Sequence, residues 1–294
     1  MSAPSRMRLG ILGALCLPLW LAAPGARAAD PDLWDLFEDF EQAGKGFSAK
    51  WSFGHFGGDY GRDVTTELQS FTTGLRWMLP RGQVRLNLPL LRVTNVGNVT
   101  FVGDRPVNFR TDRQTDRKLT RDRLPAPSSE SNSGIGDVTV QGELDFLRSG
   151  ISRPWLTGIL RVKLPTADEQ QGLGTGEVDV EGALALTKPF GRSDLLLDAG
   201  YTKVGEPEGL AYEEIIRLAA GISTRLGRSG TLLDVYLENR THPVPGEADR
   251  LDLSLGTGRR FGQRSQLQFG AAVFAGLSGT AEDFGISLSL ARSF

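Results

Sequence analysis

From Phe284 to Phe294 the chain alternates between two kinds of side chain. Phe284, Ile286, Leu288, Leu290 and Phe294 share one parity, with Arg292 as the exception, while Gly285, Ser287, Ser289, Ala291 and Ser293 share the other. Successive strand residues point to opposite faces, so this segment makes a strand that is apolar on one side and small and polar on the other. Such a strand suits a bilayer outside and water or packed side chains inside. The same period of two recurs over 47–54, 83–90, 137–146, 156–164, 178–186, 195–201, 216–226, 233–237, 251–255 and 267–275. With a less regular strand over 68–77 and the terminal one, the pattern predicts about twelve strands.

The connections alternate in kind. Short, turn-like links occupy 80–82, 189–193, 227–230 and 262–265. Longer ones occupy 57–63, 94–133, 165–176, 205–212, 241–249 and 277–283, and the link at 148–154 is longer than its turn-like peers. Short turns on one side and long loops on the other predict an all-β, antiparallel up-and-down transmembrane barrel over 46–294, with its short turns periplasmic. An even strand count puts both chain ends on that side. No later segment has an apolar run long enough for a spanning helix, whereas alternating strands escape a hydropathy average. A soluble β-sandwich, the alternative, would not need so many apolar outward faces.

The N-terminus reads differently. Arg6 and Arg8 precede an apolar run over 9–23, and Ala26-Arg27-Ala28 offers a cleavage site, so residues 1–28 are expected to be a secretory signal peptide. Cys16, the only cysteine, lies inside it and is preceded by Leu15, which argues against lipidation. The mature chain is then cysteine-free, with no disulfide or cysteine metal site. Removing Arg6, Arg8 and Arg27 takes the formal charge from −2 to −5, which gives no sign of nucleic acid as a partner. Residues 29–45 form a separate periplasmic segment, expected to be helical. Asp30 or Asp32 can cap it, Pro31 suits its first turn, and Leu33, Leu36, Phe37 and Phe40 recur at helical spacing opposite Asp35, Glu38, Asp39 and Glu41. It is read as a helix under the barrel or at the lipid interface, as a plug in the pore, or as a disordered leader.

Two resemblances sharpen this reading. The last strand, closing on Phe294, resembles the C-terminal assembly signal of bacterial outer-membrane barrels. That implies a bacterial outer-membrane location, with the barrel-assembly machinery, outer-membrane lipid and lipopolysaccharide as partners. Ser133-Gly134-Ile135-Gly136-Asp137 opens a strand, Lys163-Leu164-Pro165-Thr166 closes the next, Gly172-Leu173-Gly174-Thr175-Gly176 opens the third, and Gly200-Tyr201 follows. In this order they resemble the outer-membrane transporter family named for the meta-pathway of phenol degradation. The resemblance covers most of the mature chain and is strongest over 133–201. It implies a barrel for uptake of small solutes, aromatic or otherwise hydrophobic ones among them. Ala167 stands where that family usually has a glycine, and Asp168 follows it. Read as residues alone, Gly134 and Gly136 allow tight backbone, Pro165 ends a strand and Gly172, Gly174 and Gly176 make a mobile loop. No helix follows that glycine run and no Lys-Ser/Thr completes a phosphate-binding loop.

If apolar faces meet lipid, the opposite parity lines the interior. The candidate pore-lining residues are Lys50, Arg85, Asp137, Glu143, Asp145, Arg161, Lys163, Asp179, Glu181, Asp198, Arg217, Arg225, Asp234, Glu238, Arg240, Asp252 and Arg260. These rows of acids and bases either pair across strands and fill a narrow interior, or line a wet channel. The loop 94–133 carries Arg105, Arg110, Arg113, Arg117, Lys118, Arg121 and Arg123 among Asp104, Asp112, Asp116 and Asp122. It is read as a solvated outer loop, a contact for lipopolysaccharide phosphates, or a constriction folded inward. With only His55 and His242, and neither in a catalytic context, no enzyme, metal or cofactor is expected. The expectation is a monomeric outer-membrane channel for passive uptake of a small-molecule solute. A non-conducting structural or surface-interaction barrel is the alternative.

Overall fold

A computed structural model describes residues 46–60, 65–94, 99–102, 105–108, 131–147, 154–207, 211–227, 231–261 and 267–294. The signal-peptide and helix expectations for 1–45 lie outside these residues. The strands are β1 (Phe47–Gly58), β2 (Thr66–Leu79), β3 (Gly82–Thr94), β4 (Val99–Val102), β5 (Arg105–Asn108), β6 (Ser131–Ile135), β7 (Val138–Leu147) and β8 (Trp155–Leu164). After a short 3₁₀ turn at Glu169–Gln171 come β9 (Asp179–Phe190), β10 (Ser193–Lys203), β11 (Ile215–Leu226), β12 (Thr231–Arg240), β13 (Arg250–Phe261), β14 (Leu267–Gly276) and β15 (Phe284–Ser293).

Each barrel strand pairs antiparallel with its sequence neighbours, and β1 also pairs with β15, from Ser48 opposite Ser293 to Gly57 opposite Phe284. The sheet is therefore closed. β6 and β7 form one stave, since both pair with β3 on either side of Gly136-Asp137. That makes twelve staves, with β4 and β5 as a separate hairpin in the long outer loop. Closure matters because lipid cannot satisfy an edge strand's unpaired N–H and C=O groups.

The expected alternation sorts the two faces. Leu160, Leu184, Ile216, Leu218, Val273 and Leu288 point outward and are exposed, while Arg161, Glu181 and Arg217 point inward and are buried. An exposed apolar band of this kind would aggregate in water and is stable in lipid. At the turn end, Phe47 packs on Trp77 and Phe294 with ring centroids 5.1 and 5.8 Å apart. Arg292, the break in the terminal pattern, lays its guanidinium over the Phe294 ring at 5.1 Å. It faces outward at the strand's end, where a long cationic side chain reaches the interface.

The strands run beyond their expected ends because their outer portions leave the apolar band. β2 looks irregular in sequence for this reason. At its loop end Glu67 and Gln69 face outward and Leu68 faces inward, which inverts the usual polarity.

Candidate functional site: a charge-paired lumen beneath an inward hairpin

Inward parity on six consecutive staves brings one ladder of charges together. Arg85 on β3 meets Glu143 on β7 at 2.9 Å. Glu143 also accepts from Gln83 and Gln141, and Gln141 in turn accepts from Arg161 Nε at 2.9 Å. Glu181 on β9 is the hub: it accepts from Arg161 Nη1 at 2.9 Å and from Arg217 Nη2 at 2.8 Å. Arg217 completes the run on Asp198 at 2.8 Å. Toward the outer end, Lys163 lies 3.1 Å from Asp137 and 2.9 Å from Asp179. Arg217 is 1% exposed and Glu181 5%, so in this state the ladder is sealed from solvent. Buried charges are tolerated only when paired, and each charge of the ladder has an opposite charge within 3.1 Å.

Gly200 makes the hub possible. A Cβ there would stand 2.7 Å from Glu181 Oε1 and 3.1 Å from Arg217 Nη2. The sequence motifs that flank it along the chain also converge. Thr166 donates to the Gly136 carbonyl and accepts from Val138 N, both at 2.9 Å, while Asp137 accepts from Ala167 N at 3.0 Å. The expected mobile glycine loop is instead packed. Asp168, standing after the missing glycine, caps the 3₁₀ turn by accepting from Gln170 N and Gln171 N. Gly172 ends that turn at φ 71°, a left-handed conformation glycine adopts without strain. Leu173 is then driven completely into the interior.

Above the ladder, the β4–β5 hairpin folds inward, so this part of loop 94–133 is a constriction. Phe101 joins Phe56, Leu68, Val93 and Leu173 in one buried cluster. Val102 and Val107 join Val204, Tyr212 and Ile215 in another. Thr100 donates to the Gly174 carbonyl at 3.1 Å, and Arg105 lies 3.7 Å from Glu238 on the barrel wall. Tyr212, held in this loop cluster, has its phenol pKa raised by burial first and by the nearby Asp179 charge second. Below the ladder, Leu196, Ala219, Tyr236 and Ala272 form an apolar plug of side chains.

The remaining candidates fall into smaller groups. Asp145 accepts from Thr157 at 3.0 Å; Arg225 pairs with Asp194 at 3.4 Å near the turn end; Asp234 lies inward and buried on β12. Glu238 and Arg240 pair at 3.6 Å, and Asp252 pairs with Arg250, which also meets Glu282. Lys50 and Arg260 point inward outside the ladder. Asp194, Arg250, Gln83 and Gln141 were not anticipated. The first two lie one alternate position beyond strands drawn too short, and the glutamines are neutral members of the same inward rows.

The barrel resembles the crystal structure of an outer membrane channel from Pseudomonas putida F1, at TM-score 0.61 and 17% identity over 87% of this chain and 98% of that one. The likeness is one of fold. Looser matches are OmpF of Salmonella typhi in complex with daunomycin (TM-score 0.38, 9% identity, 87% and 100% covered) and the P. putida toluene transporter TodX (TM-score 0.43, 8% identity, 86% and 91% covered). No family model matches the chain, and no curated protein does. Fold and exterior together make this chain a transmembrane β-barrel of the outer-membrane type.

Proposed function

We propose that the protein is a channel of the bacterial outer membrane that passes small solutes passively, shut in the described state by the inward hairpin and the paired charges beneath it. One observation carries this reading: the hairpin is seated in the mouth of a closed, membrane-facing barrel whose wall beneath it is charged. A barrel that served only as a scaffold would gain by filling its interior with apolar side chains, since replacing buried ion pairs that way is often neutral or stabilising. A charged interior can instead be dry when paired and wet when open, at modest cost in either state. Twelve strands leave a conduit narrower than the sixteen-stranded porins, which favours small solutes, aromatic or otherwise hydrophobic ones included. Lipid and lipopolysaccharide surround the barrel in this reading, and the strand ending at Phe294 engages the barrel-assembly machinery.

A non-conducting barrel is the second reading, favoured by the near-complete burial of Arg161 and Arg217 against Glu181. Proteoliposome swelling separates the two. The channel reading expects swelling in small uncharged solutes, faster in Glu238→Gln, which loosens the hairpin's hold. Folded protein that gives no swelling in either form would establish the non-conducting barrel.

A further inference from the structure

Between the hairpin and strands β1–β3 lies a cavity of about 80 Å³. One water needs roughly 10–15 Å³ in that measure, so the space takes several waters or the body of one compact organic molecule. Its walls divide by chemistry. Phe56, Leu68, Leu91, Phe101 and Leu173 form the outer, apolar part, while Ser70, Thr72 and Asn87 form the floor facing the ladder.

The two hydroxyls on that floor decide the matter. Ser70 is 3% exposed and Thr72 is 4%, and neither side-chain oxygen has a hydrogen-bond partner among the described residues. Buried hydroxyls in native proteins almost always have partners, and leaving them unmade is unfavourable. Ser70 and Thr72 sit side by side on one inward face of β2 and line the polar end of an apolar space, so its wall holds two unused donor–acceptor groups. Lys163 also lines the cavity, but it is already engaged by Asp137, Asp179 and Thr175. Among the described lining residues no cation is left to receive an anionic head, and Asp137, itself on the cavity wall, would repel one.

We infer that this cavity binds a small neutral amphiphile, a compact apolar body carrying one hydroxyl-class head that bonds to Ser70 and Thr72. The inference rests on the reading of the protein as a solute channel, and it names the first selective station on the route. It also predicts discrimination against the corresponding acids.

The test uses three ligands that share a six-membered ring: cyclohexanol, methylcyclohexane and cyclohexanecarboxylate. Binding to the folded full mature chain in detergent is measured by saturation-transfer NMR titration. Cyclohexanol is expected to bind at least tenfold more tightly than either relative. In the Ser70→Ala/Thr72→Val variant its advantage falls to within about threefold, while resistance to thermal unfolding is unchanged or higher, since no native hydrogen bond is removed. Equal binding of the three ligands, no binding of cyclohexanol, or an advantage that survives the double substitution would each overturn the site. Swelling of proteoliposomes without cyclohexanol binding removes the site and keeps the channel. Cyclohexanol binding without swelling keeps the site and removes the channel.

Discussion

Replacing Glu181 with alanine tests whether the ladder is dry. Glu181 accepts from Arg161 at 2.9 Å and from Arg217 at 2.8 and 3.1 Å, in surroundings that leave it 5% exposed. Its removal leaves two buried guanidiniums short of an acceptor. Arg217 retains the Asp198 carboxylate as a counter-charge, and Arg161 retains the neutral Gln141 amide as a hydrogen-bond acceptor. Breaking a buried pair costs about 3–5 kcal/mol, and the retained partners place the expected loss near the lower end of that range. The assay is urea unfolding of the lipid-inserted barrel, followed by its heat-modifiable electrophoretic mobility, with Glu181→Gln as the neutral, isosteric control. A loss of roughly 3 kcal/mol supports a dry, paired ladder. If Glu181→Ala costs less than about 1 kcal/mol, the pairs behave like solvent-exposed ones and the interior is wet at that level.

Three further outcomes follow from the same geometry. Gly200→Val drives a side chain into the Glu181–Arg217 contact and should cost about 1–3 kcal/mol in the same urea assay, the usual range for overpacking. Leu184→Arg, on the lipid face midway along β9, should cost roughly 2–4 kcal/mol in lipid, against ~0–1 for Val180→Arg near the loop end of that strand; equal costs would contradict the assigned membrane band. His242, in the outer loop 241–249, has a pKa lowered chiefly by burial, and its neutral Nδ1 accepts from Val244 N at 3.1 Å. A depressed histidine pKa stabilises the loop above the unfolded value of about 6.5 and loses that contribution as pH falls through the folded value. Proteolysis of the loop should therefore accelerate on acidification, and His242→Gln should abolish the pH dependence.

The barrel was legible because its signal is local and repetitive. Alternation along each strand sorts the two faces, and the lengths of the links separate a turn end from a loop end. The inward rows were legible for the same reason, from Asp137 through Arg217. Their partners were less so. That Glu181 rather than Asp179 would hold both Arg161 and Arg217 depends on strand register, and Arg161 opposite Glu181 becomes apparent only once β8 and β9 are paired. The hairpin was least legible. Val99 to Asn108 carries short, weakly patterned strands inside a charged loop, and its inward fold is set by distant groups such as Leu173, Ile215 and Glu238. The glycine motif misled in the opposite way: glycines suggest mobility, yet the Asp168 cap and the buried Leu173 hold the loop down.

A conductive barrel held shut by its own hairpin should open when the hairpin is removed. Val99 and Asn108 are paired across the hairpin base, so excising 99–108 removes the hairpin as one paired unit. Planar-bilayer recording of residues 29–294 and of this deletion tests that gate. Rare, brief openings are expected for the intact chain and frequent discrete steps after excision. Equal conductance in the two forms would show that the hairpin is no gate. Silence from both, with the barrels folded, would show that the interior does not conduct.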